Sequence, residues 1–334
     1  MAALVAPEMT TDVPGDLYPL IALAGPTASG KTSLALTLAE ALNGEIVSCD
    51  SVAVYRLMEI GTAKPSLADR ARIPHHGLDL YWPDEPCTAG DWARHARAAI
   101  ADIRARGRLP IVVGGTGLYL RALLDGLAPA PPRNEALRER LRNRAATHGS
   151  AHLHRLLQRL DPVAAPAIHA NDVPKLVRSI EVTLAARAPR SEQWKAGREA
   201  LEGYNVVRFC LLPDRAELYA RINLRAAAMF DRGLLAETAT LRERYGDACR
   251  PLGSLGYLQA MQVMRGEVHL PEAILSAQQG HRNYAKRQIT WFRAQPEMHW
   301  LAGFGDQARI QTETLALASG HLGLSSVRQL NGLR

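Results

Sequence analysis

The pattern of apolar and polar positions in the first third of the chain alternates between two forms. Short continuous apolar runs predict strands at Pro19–Ala24, Glu45–Cys49 and Leu109–Val113. Stretches with apolar residues at helical spacing predict helices at Lys31–Leu42 and Asp91–Arg106, and a further helix beginning at Leu118–Leu124. Strands joined by helices favour the α/β class, in which helices cover both faces of a parallel sheet.

A proline-rich segment then interrupts this pattern. The run Ala128-Pro-Ala-Pro-Pro132 predicts a boundary, and the chain beyond it is helical and rich in arginine as far as about residue 200. A strand pattern returns at 204–212, and helices follow from Arg215 to about Arg293. We therefore predict an α/β core with C-terminal helices, a helical insertion, and two tails. The core spans 18–128 and 203–300, the insertion spans 129–202, and the tails are 1–17 and 306–334.

Charge is concentrated in the insertion. Residues 129–200 contain thirteen Lys or Arg and seven Asp or Glu, so they hold six of the seven net positive charges of the chain. An anionic partner is plausible for such a segment. The four cysteines show no metal-ligand spacing, which is typical of reduced thiols in a cytosolic protein. No signal peptide and no apolar run of ~20 residues is evident, so we predict a cytoplasmic monomer without membrane contact.

One short segment carries the clearest chemical signal. It matches the phosphate-binding pattern G-x-x-x-x-G-K-[ST] and lies between a predicted strand and a predicted helix. Its residues are Gly25, Pro26, Thr27, Ala28, Ser29, Gly30, Lys31 and Thr32. Backbone N–H groups in such a loop bind phosphate oxygens, Lys31 adds a positive charge, and Thr32 is the expected Mg²⁺ ligand. The pattern predicts a P-loop NTPase-like sheet and a ligand with at least two phosphates.

The acidic residue that accompanies this loop selects among chemistries. The strand over 109–113 ends in Gly114-Gly-Thr116 without a carboxylate, which argues against a motor-type or switch-type nucleotide hydrolase. Asp50 instead follows the second predicted strand, next to the loop. It suits a general base or a Mg²⁺ ligand, although Asp at this position also caps a following segment well. These residues alone leave a small-molecule kinase and another diphosphate-using transferase open.

Longer matches resemble one family. The runs Asp50-Ser-Val-Ala-Val-Tyr-Arg56 and Ile60-Gly-Thr-Ala-Lys-Pro65 are similar to motifs of the tRNA dimethylallyltransferases, also called tRNA isopentenyltransferases. Further matches in the same order are Pro74-His-His76, Gly114-Gly-Thr-Gly-Leu-Tyr119, Asn171-Asp172 with Arg178, Gly256-Tyr257, and 285–293. The resemblance covers about 19–295.

This resemblance implies that the dimethylallyl group of dimethylallyl diphosphate is transferred, with Mg²⁺, to the exocyclic N6 amine of adenosine at tRNA position 37. Diphosphate would leave, and the loop would bind the diphosphate of the donor. Asp50 would act on the acceptor amine, and Thr27 and Lys31 would contact the donor. Arg221 and Arg225 lie on one helical face and resemble diphosphate ligands, with Arg225 preferred, although a solvated helix face is equally compatible.

The resemblance also implies contacts with the anticodon stem-loop. Its RNA-contacting positions map onto Asp50, Ser51, Val52, Ala53, Thr116, Arg138, Pro174, Lys175, Leu176, Val177, Arg178, Ser254, Leu255, Gly256, Tyr257, Leu258, Gln259, His281, Arg282, Asn283, Tyr284, Ala285, Lys286, Arg287 and Gln288. The residues at Ala53, Lys175, Leu258 and His281 depart from those common in the family. The target base would be flipped into the cavity, and the basic insertion would hold the stem backbone.

Three further residue types have alternative interpretations. His75 and His76 are of a residue type that binds metals. No carboxylate or cysteine at metal-ligand spacing accompanies them, which favours a structural role. Trp291 and Phe292 favour core positions over base stacking.

Prenylation of free adenylate and small-molecule phosphorylation are the alternative activities, and the basic insertion favours RNA over both.

Overall fold

The computed structural model describes residues 17–128, 130–193 and 199–323. Nearly all of the predicted N-terminal tail, 1–17, therefore lies outside the described residues, as do the last residues of the predicted C-terminal tail. Among the described residues no helix is long and apolar enough to cross a membrane.

A six-stranded parallel sheet forms the centre of the fold. Its strands are β1 (Tyr18–Ala24), β2 (Gly44–Cys49), β3 (His75–His76), β4 (Leu109–Gly114), β5 (Tyr204–Leu211) and β6 (Met298–Leu301). They lie in the order β3-β2-β4-β1-β5-β6, and each pairs in parallel with its neighbours. β1 is central, so its carboxyl end faces the middle of the sheet edge where ligands bind in such folds. The predicted α/β class is confirmed.

Helices connect and cover these strands. In chain order they are α1 (Lys31–Ala41), α2 (Leu67–Arg72), α3 (Ala89–Ala105), α4 (Gly117–Leu124), α5 (Glu135–His148), α6 (Ser150–Leu160), α7 (Val173–Ala186), α8 (Arg190–Gln193), α9 (Arg215–Asp231), α10 (Leu234–Tyr245), α11 (Tyr257–Met264), α12 (Leu270–Arg293) and α13 (Ala308–Leu322). The predicted strands and helices of the core differ from these by one or two residues at most ends. The sequence patterns missed α2, β3, β6 and α13.

Burial on both faces explains the continuous apolar run of β1. Ile21 and Leu23 lie in a core with α1 and α13, and Leu20 and Ala22 on the opposite face are equally buried. α3 packs against β2 and β4, and its Trp92 indole N–H donates to the Ser48 carbonyl oxygen at 3.0 Å. Strands covered on both sides show no apolar–polar alternation, as the sequence pattern indicated.

The chain divides into two compact units. One contains the residues up to Leu123 and from Leu201 onward, and the other is Leu124–Ala200. The second unit has its own apolar core, formed by residues of α5, α6 and α7 such as Leu141, Leu157 and Ile180. Its Glu181 carboxylate is fully buried and accepts a hydrogen bond from the Asn134 backbone N–H at 2.6 Å.

The prediction of a tail at 306–334 is wrong for the residues that form α13. Ile310 and Ala318 of α13 are buried in the core against α1 and the sheet. Ahead of this helix, the Gly305 backbone N–H donates to the Ser29 carbonyl oxygen at 2.9 Å. The approach is close because Gly30 and Gly305 both lack a Cβ, and one added to Gly30 would lie 2.8 Å from the Gly305 nitrogen. The C-terminal segment therefore supports the phosphate-binding loop.

We expect Gly305→Ala to destabilise the fold by about 1–3 kcal/mol, because its methyl group would overlap the Gly30 carbonyl oxygen. Gly320→Ala is the matched control. Gly320 lies inside α13 with nothing within 4 Å of an added Cβ, so alanine there should stabilise by up to ~1 kcal/mol. Urea unfolding of the three proteins measures both effects. Equal stabilities for Gly305→Ala and wild type would contradict the role assigned to this contact.

Candidate active site

The phosphate-binding loop occupies the carboxyl end of β1 and leads into α1. Gly30 caps α1 in the left-handed region, with φ +86°. Lys31 is the first helical residue, and its Nζ donates to the carbonyl oxygens of Gly25 and Pro26 at 2.9 and 2.6 Å. The side chain thus folds back over the loop. This arrangement presents the N-terminus of α1 and its unpaired N–H groups to an anion.

A cavity of about 410 Å³ opens beside this loop. β2 and β4 contribute to it, together with the loop after β1, α9 and α12. Its polar lining residues include Lys31, Asp50, Arg221, Arg225, Tyr284 and Gln288, and its apolar lining residues include Ala35, Ile46, Pro65, Leu78 and Val113. Thr27 and Thr32 also line it, so the structure brings every predicted catalytic and diphosphate-binding side chain with a charge or hydroxyl to one cavity.

Positive charge dominates the polar lining residues. Burial and then the neighbouring Arg225 guanidinium lower the pKa of Lys31 to about 8, while Asp50 opposes the shift. Burial also lowers the pKa of Arg225. Among the described lining residues Asp50 is the one carboxylate. Two half-buried cations with one carboxylate near them favour a bound anion.

Asp50 combines both roles that the sequence left open. Its Oδ1 accepts hydrogen bonds from the backbone N–H groups of Val52 and Ala53, at 2.8 and 3.0 Å, so the carboxylate caps the following turn. The same residue lines the cavity opposite Lys31. The cap fixes the carboxylate at the strand end, where it can also act on a ligand.

Gln288 links the two glycine-rich turns of the site. Its Oε1 accepts from the Thr27 backbone N–H at 2.9 Å, and its Nε2 donates to the Gly115 carbonyl oxygen at 3.0 Å. A Cβ on Gly115 would overlap the Gln288 amide, so glycine is required for this contact. One turn earlier on α12, burial and then the Asp50 charge raise the pKa of Tyr284 to about 12. The two α12 residues that line the cavity, Tyr284 and Gln288, are therefore uncharged.

Sequence reasoning missed the residues that hold the loop between β2 and β3. Lys64 lines the cavity, but its Nζ donates to the Tyr55 carbonyl oxygen at 2.7 Å and to the Glu59 and Asp79 carboxylates at 2.9 and 2.6 Å. All three of its donors are satisfied within the protein, so Lys64 is a structural residue. The Glu237 carboxylate accepts the Ile60 N–H at 2.9 Å and the Tyr257 hydroxyl at 2.6 Å.

Arg221 is held by the C-terminal segment. Its Nη1 lies 2.7 Å from the Asp306 carboxylate, and its guanidinium lies 3.7 Å from the centre of the Phe304 ring. These contacts place the guanidinium at the cavity while most of its N–H donors remain available. Neither partner could be identified from sequence, because both lie in the segment that was predicted to end the core.

The residues predicted to contact RNA include an exposed group and a buried group. Pro174, Lys175, Leu258, Asn283, Lys286 and Arg287 are exposed. Leu176, Val177, Tyr257, Gln259 and Ala285 are buried, so their side chains cannot reach RNA in this conformation. Adjacent residues of a helix point in different directions. A prediction made for a continuous range of residues therefore includes such buried positions. Arg178 and Arg138 lie 2.7 and 3.9 Å from the buried Glu181, which gives both a structural partner.

The remaining predicted positions have defined environments. The Thr116 hydroxyl accepts the Ser51 backbone N–H at 3.2 Å, and Arg282 is hydrogen-bonded to Asn223 and Gln279. His281 lies behind Thr27 and Arg225, and burial lowers its pKa to about 4. Ser254 is half-buried, as is Leu255, and Gly256 is buried.

The adjacent histidines do not form a metal site. His76 Nε2 lies 2.7 Å from the buried Glu45 carboxylate, which Arg106 also contacts at 2.7 Å. His75 Nδ1 lies 2.7 Å from the Ile73 carbonyl oxygen. In the described part of the chain no group of three or more His, Cys, Asp or Glu is arranged to hold a metal ion. Phe292 is buried as predicted, whereas Trp291 is only half-buried.

The parallel sheet and the phosphate-binding loop at its central strand define a P-loop-like α/β protein, and cations line the cavity beside that loop. The family model described as IPP transferase matches residues 53–295. A tRNA dimethylallyltransferase of Koribacter versatilis is 57% identical over 89% of this chain and 97% of its own length. The chain belongs to the tRNA dimethylallyltransferase family, a family of transferases.

Two further comparisons agree. A tRNA dimethylallyltransferase of Solibacter usitatus is 53% identical over 91% of this chain and 99% of its own length. The solved structure of a full-length tRNA isopentenylpyrophosphate transferase from Bacillus halodurans superposes with a TM-score of 0.67 at 35% identity. That match covers 91% of this chain and 97% of the other.

Gln288→Leu should weaken binding of inorganic pyrophosphate about tenfold, because it leaves the Thr27 N–H and the Gly115 carbonyl unsatisfied and frees the loop. Isothermal titration calorimetry measures the affinity. The control is Gln279→Leu, an exposed position on the same helix that should bind as wild type does. Equal affinities for Gln288→Leu and wild type would show that Gln288 does not organise the loop.

Proposed function

We propose that this chain transfers the dimethylallyl group of dimethylallyl diphosphate to the exocyclic N6 amine of adenosine 37 in tRNA. The products are N6-(dimethylallyl)adenosine and diphosphate. The observation that carries the proposal is the cavity itself. It combines two half-buried cations, a phosphate-binding loop and a carboxylate with apolar lining residues.

The donor would bind with its diphosphate on the loop. The loop N–H groups, Lys31 and Arg225 surround the position that the phosphates would occupy, and Arg221 contributes from the rim. The five-carbon group would lie against apolar residues such as Ile46, Leu78 and Val113.

The reaction is a substitution at carbon. The N6 lone pair forms a bond to the first carbon of the dimethylallyl group, the carbon–oxygen bond to diphosphate breaks, and the N6 proton passes to Asp50. Lys31, Arg225 and the loop N–H groups stabilise the negative charge that grows on the departing diphosphate. The Thr27 hydroxyl is close enough to the loop to contact the same oxygens.

Mg²⁺ fits this arrangement through the donor. Mg²⁺ prefers oxygen ligands, keeps several waters and binds in such sites through substrate phosphates and one or two protein groups. The exposed Thr32 residue in the first turn of α1 lines the cavity and would supply the protein ligand. When bound, the ion would neutralise part of the diphosphate charge.

The acceptor would reach the cavity as a base flipped out of the anticodon loop, because a stacked base cannot approach a buried diphosphate. The basic unit 124–200 would contact stem phosphates, which position RNA without reading its sequence. A tRNA substrate and four buried free cysteines support a cytoplasmic location, and we expect a monomer. Family membership favours tRNA over free adenylate and disfavours a kinase.

Asp50→Asn separates the two roles of this carboxylate. The amide oxygen still caps Val52 and Ala53, but it cannot accept the N6 proton. We therefore expect the turnover number for tRNA prenylation to fall by ~10²–10⁴, while the tRNA dissociation constant changes by less than about twofold. Mass spectrometry of nuclease-digested tRNA measures the product, and filter binding measures affinity.

The control is Asp84→Asn, which removes an exposed carboxylate and should react as wild type does. Equal losses of rate and of tRNA affinity in Asp50→Asn would make Asp50 an RNA contact and remove it as the base. Prenylation of AMP but not of tRNA by the wild-type protein would overturn the proposed acceptor.

A further inference from the structure

A second open groove lies along α12 where α4 approaches it. It encloses about 610 Å³ and is lined by Arg121, Asn283, Lys286, Arg287, Thr290, Trp291, Ala294 and Gln295. Three of these residues are cations and none is a carboxylate. Five of them, Arg121, Thr290, Trp291, Ala294 and Gln295, lie outside the RNA contacts expected from sequence and outside the reaction cavity.

The three cations of the groove have no counterion among the residues that the structure describes. Within 17–128, 130–193 and 199–323, Arg121, Lys286 and Arg287 make no ion pair and no side-chain hydrogen bond. Arg282, one turn earlier on the same helix, is by contrast hydrogen-bonded to Asn223 and Gln279. Like charges around one groove repel each other, so an anionic partner would be stabilising there.

Aromatic rings hold the two arginines in place. The Arg121 guanidinium lies 4.7 Å from the centre of the Trp291 ring, and that of Arg287 lies 5.6 Å from the Tyr284 ring. A cation–π contact orients a guanidinium without using its N–H groups. Each arginine therefore keeps five donors for another acceptor, and their planar arrangement matches phosphate oxygens. The half-buried Trp291 is best explained as the support for Arg121.

The groove adjoins the reaction cavity. Gln288 of α12 contacts Gly115 inside the cavity, and Trp291, three residues later, lies against Gly117 at the groove. Tyr284 lines the cavity while its ring contacts the groove residue Arg287. The same short turn and the same helix thus lie beside both spaces.

We propose that this groove binds the sugar–phosphate backbone of the substrate RNA immediately beside the nucleotide that is flipped into the cavity. The inference rests on the proposed function, and it adds Arg121 as a phosphate ligand. Arg121 and Arg287 contact consecutive phosphates from opposite sides, Lys286 adds charge, and Asn283 and Thr290 supply polar groups. The groove holds the neighbouring backbone while the target base leaves its stack.

Arg121→Gln tests the proposal. Its dissociation constant for tRNA should rise about threefold to tenfold at about 0.1 M salt, and the slope of log Kd against log salt should fall by about 0.7, the change for one phosphate contact on a single strand. The isolated anticodon stem-loop should show the same loss. Pyrophosphate affinity and thermal unfolding report on the folding of the variant. Loss of either would call for Arg121→Lys, which keeps the charge and should restore RNA affinity.

Arg309→Gln is the matched control, because it removes an equal charge at an exposed arginine of α13 that is paired with Glu313. An unchanged tRNA affinity in Arg121→Gln overturns the proposal and leaves the groove to another anion, such as an acidic protein segment. A loss no larger than that of Arg309→Gln overturns it as well. Binding is measured without the donor, so failure of prenyl transfer would not affect this result.

Discussion

Two half-buried cations that share one carboxylate are the constraint on which the site depends. Lys31 and Arg225 lie close enough to lower the pKa of the lysine, and Asp50 supplies the negative charge near them. Such an arrangement is costly without a ligand, because desolvation and like-charge repulsion both act on the cations. A bound diphosphate offsets both the desolvation and the repulsion. The two cations stabilise a departing diphosphate more than they would stabilise a neutral leaving group. The cation pair therefore links binding of the donor to the chemistry.

The rest of the core holds this pair in position from three directions. Gly305 and α13 contact the phosphate-binding loop from below the sheet edge, and Gln288 of α12 connects that loop to the turn after β4. The Asp50 carboxylate is fixed by its own cap. The contacts of Gly305 and Gln288 join segments that are distant in sequence, so the site is rigid only when the whole core is folded. α12 takes part in both the cavity and the groove, which suits a helix that meets the donor and the RNA.

Sequence reasoning succeeded where the signal is local. The runs of β1, β2 and β4 and the phosphate-binding loop with Lys31 are read from adjacent residues. The position of Asp50 follows from the end of a strand, and Arg225 was expected from the resemblance to the family. It failed where a role depends on a distant partner. Asp306 with Arg221, Glu237 with Tyr257, and Lys64 with Asp79 are contacts across the fold, without a motif. β3 and β6 are short, and the pattern of α13 gives no sign that the core continues beyond residue 305.

The central claim is that the cation-lined cavity binds an allylic diphosphate rather than a nucleoside triphosphate. The most direct measurement incubates the protein with Mg²⁺, unmodified tRNA and either dimethylallyl diphosphate or ATP, and follows diphosphate release, phosphate release and modified nucleoside together. The account predicts one diphosphate for each N6-(dimethylallyl)adenosine formed, with no consumption of ATP. Hydrolysis or transfer of the ATP γ-phosphate, with tRNA left unmodified by the allylic donor, would contradict it.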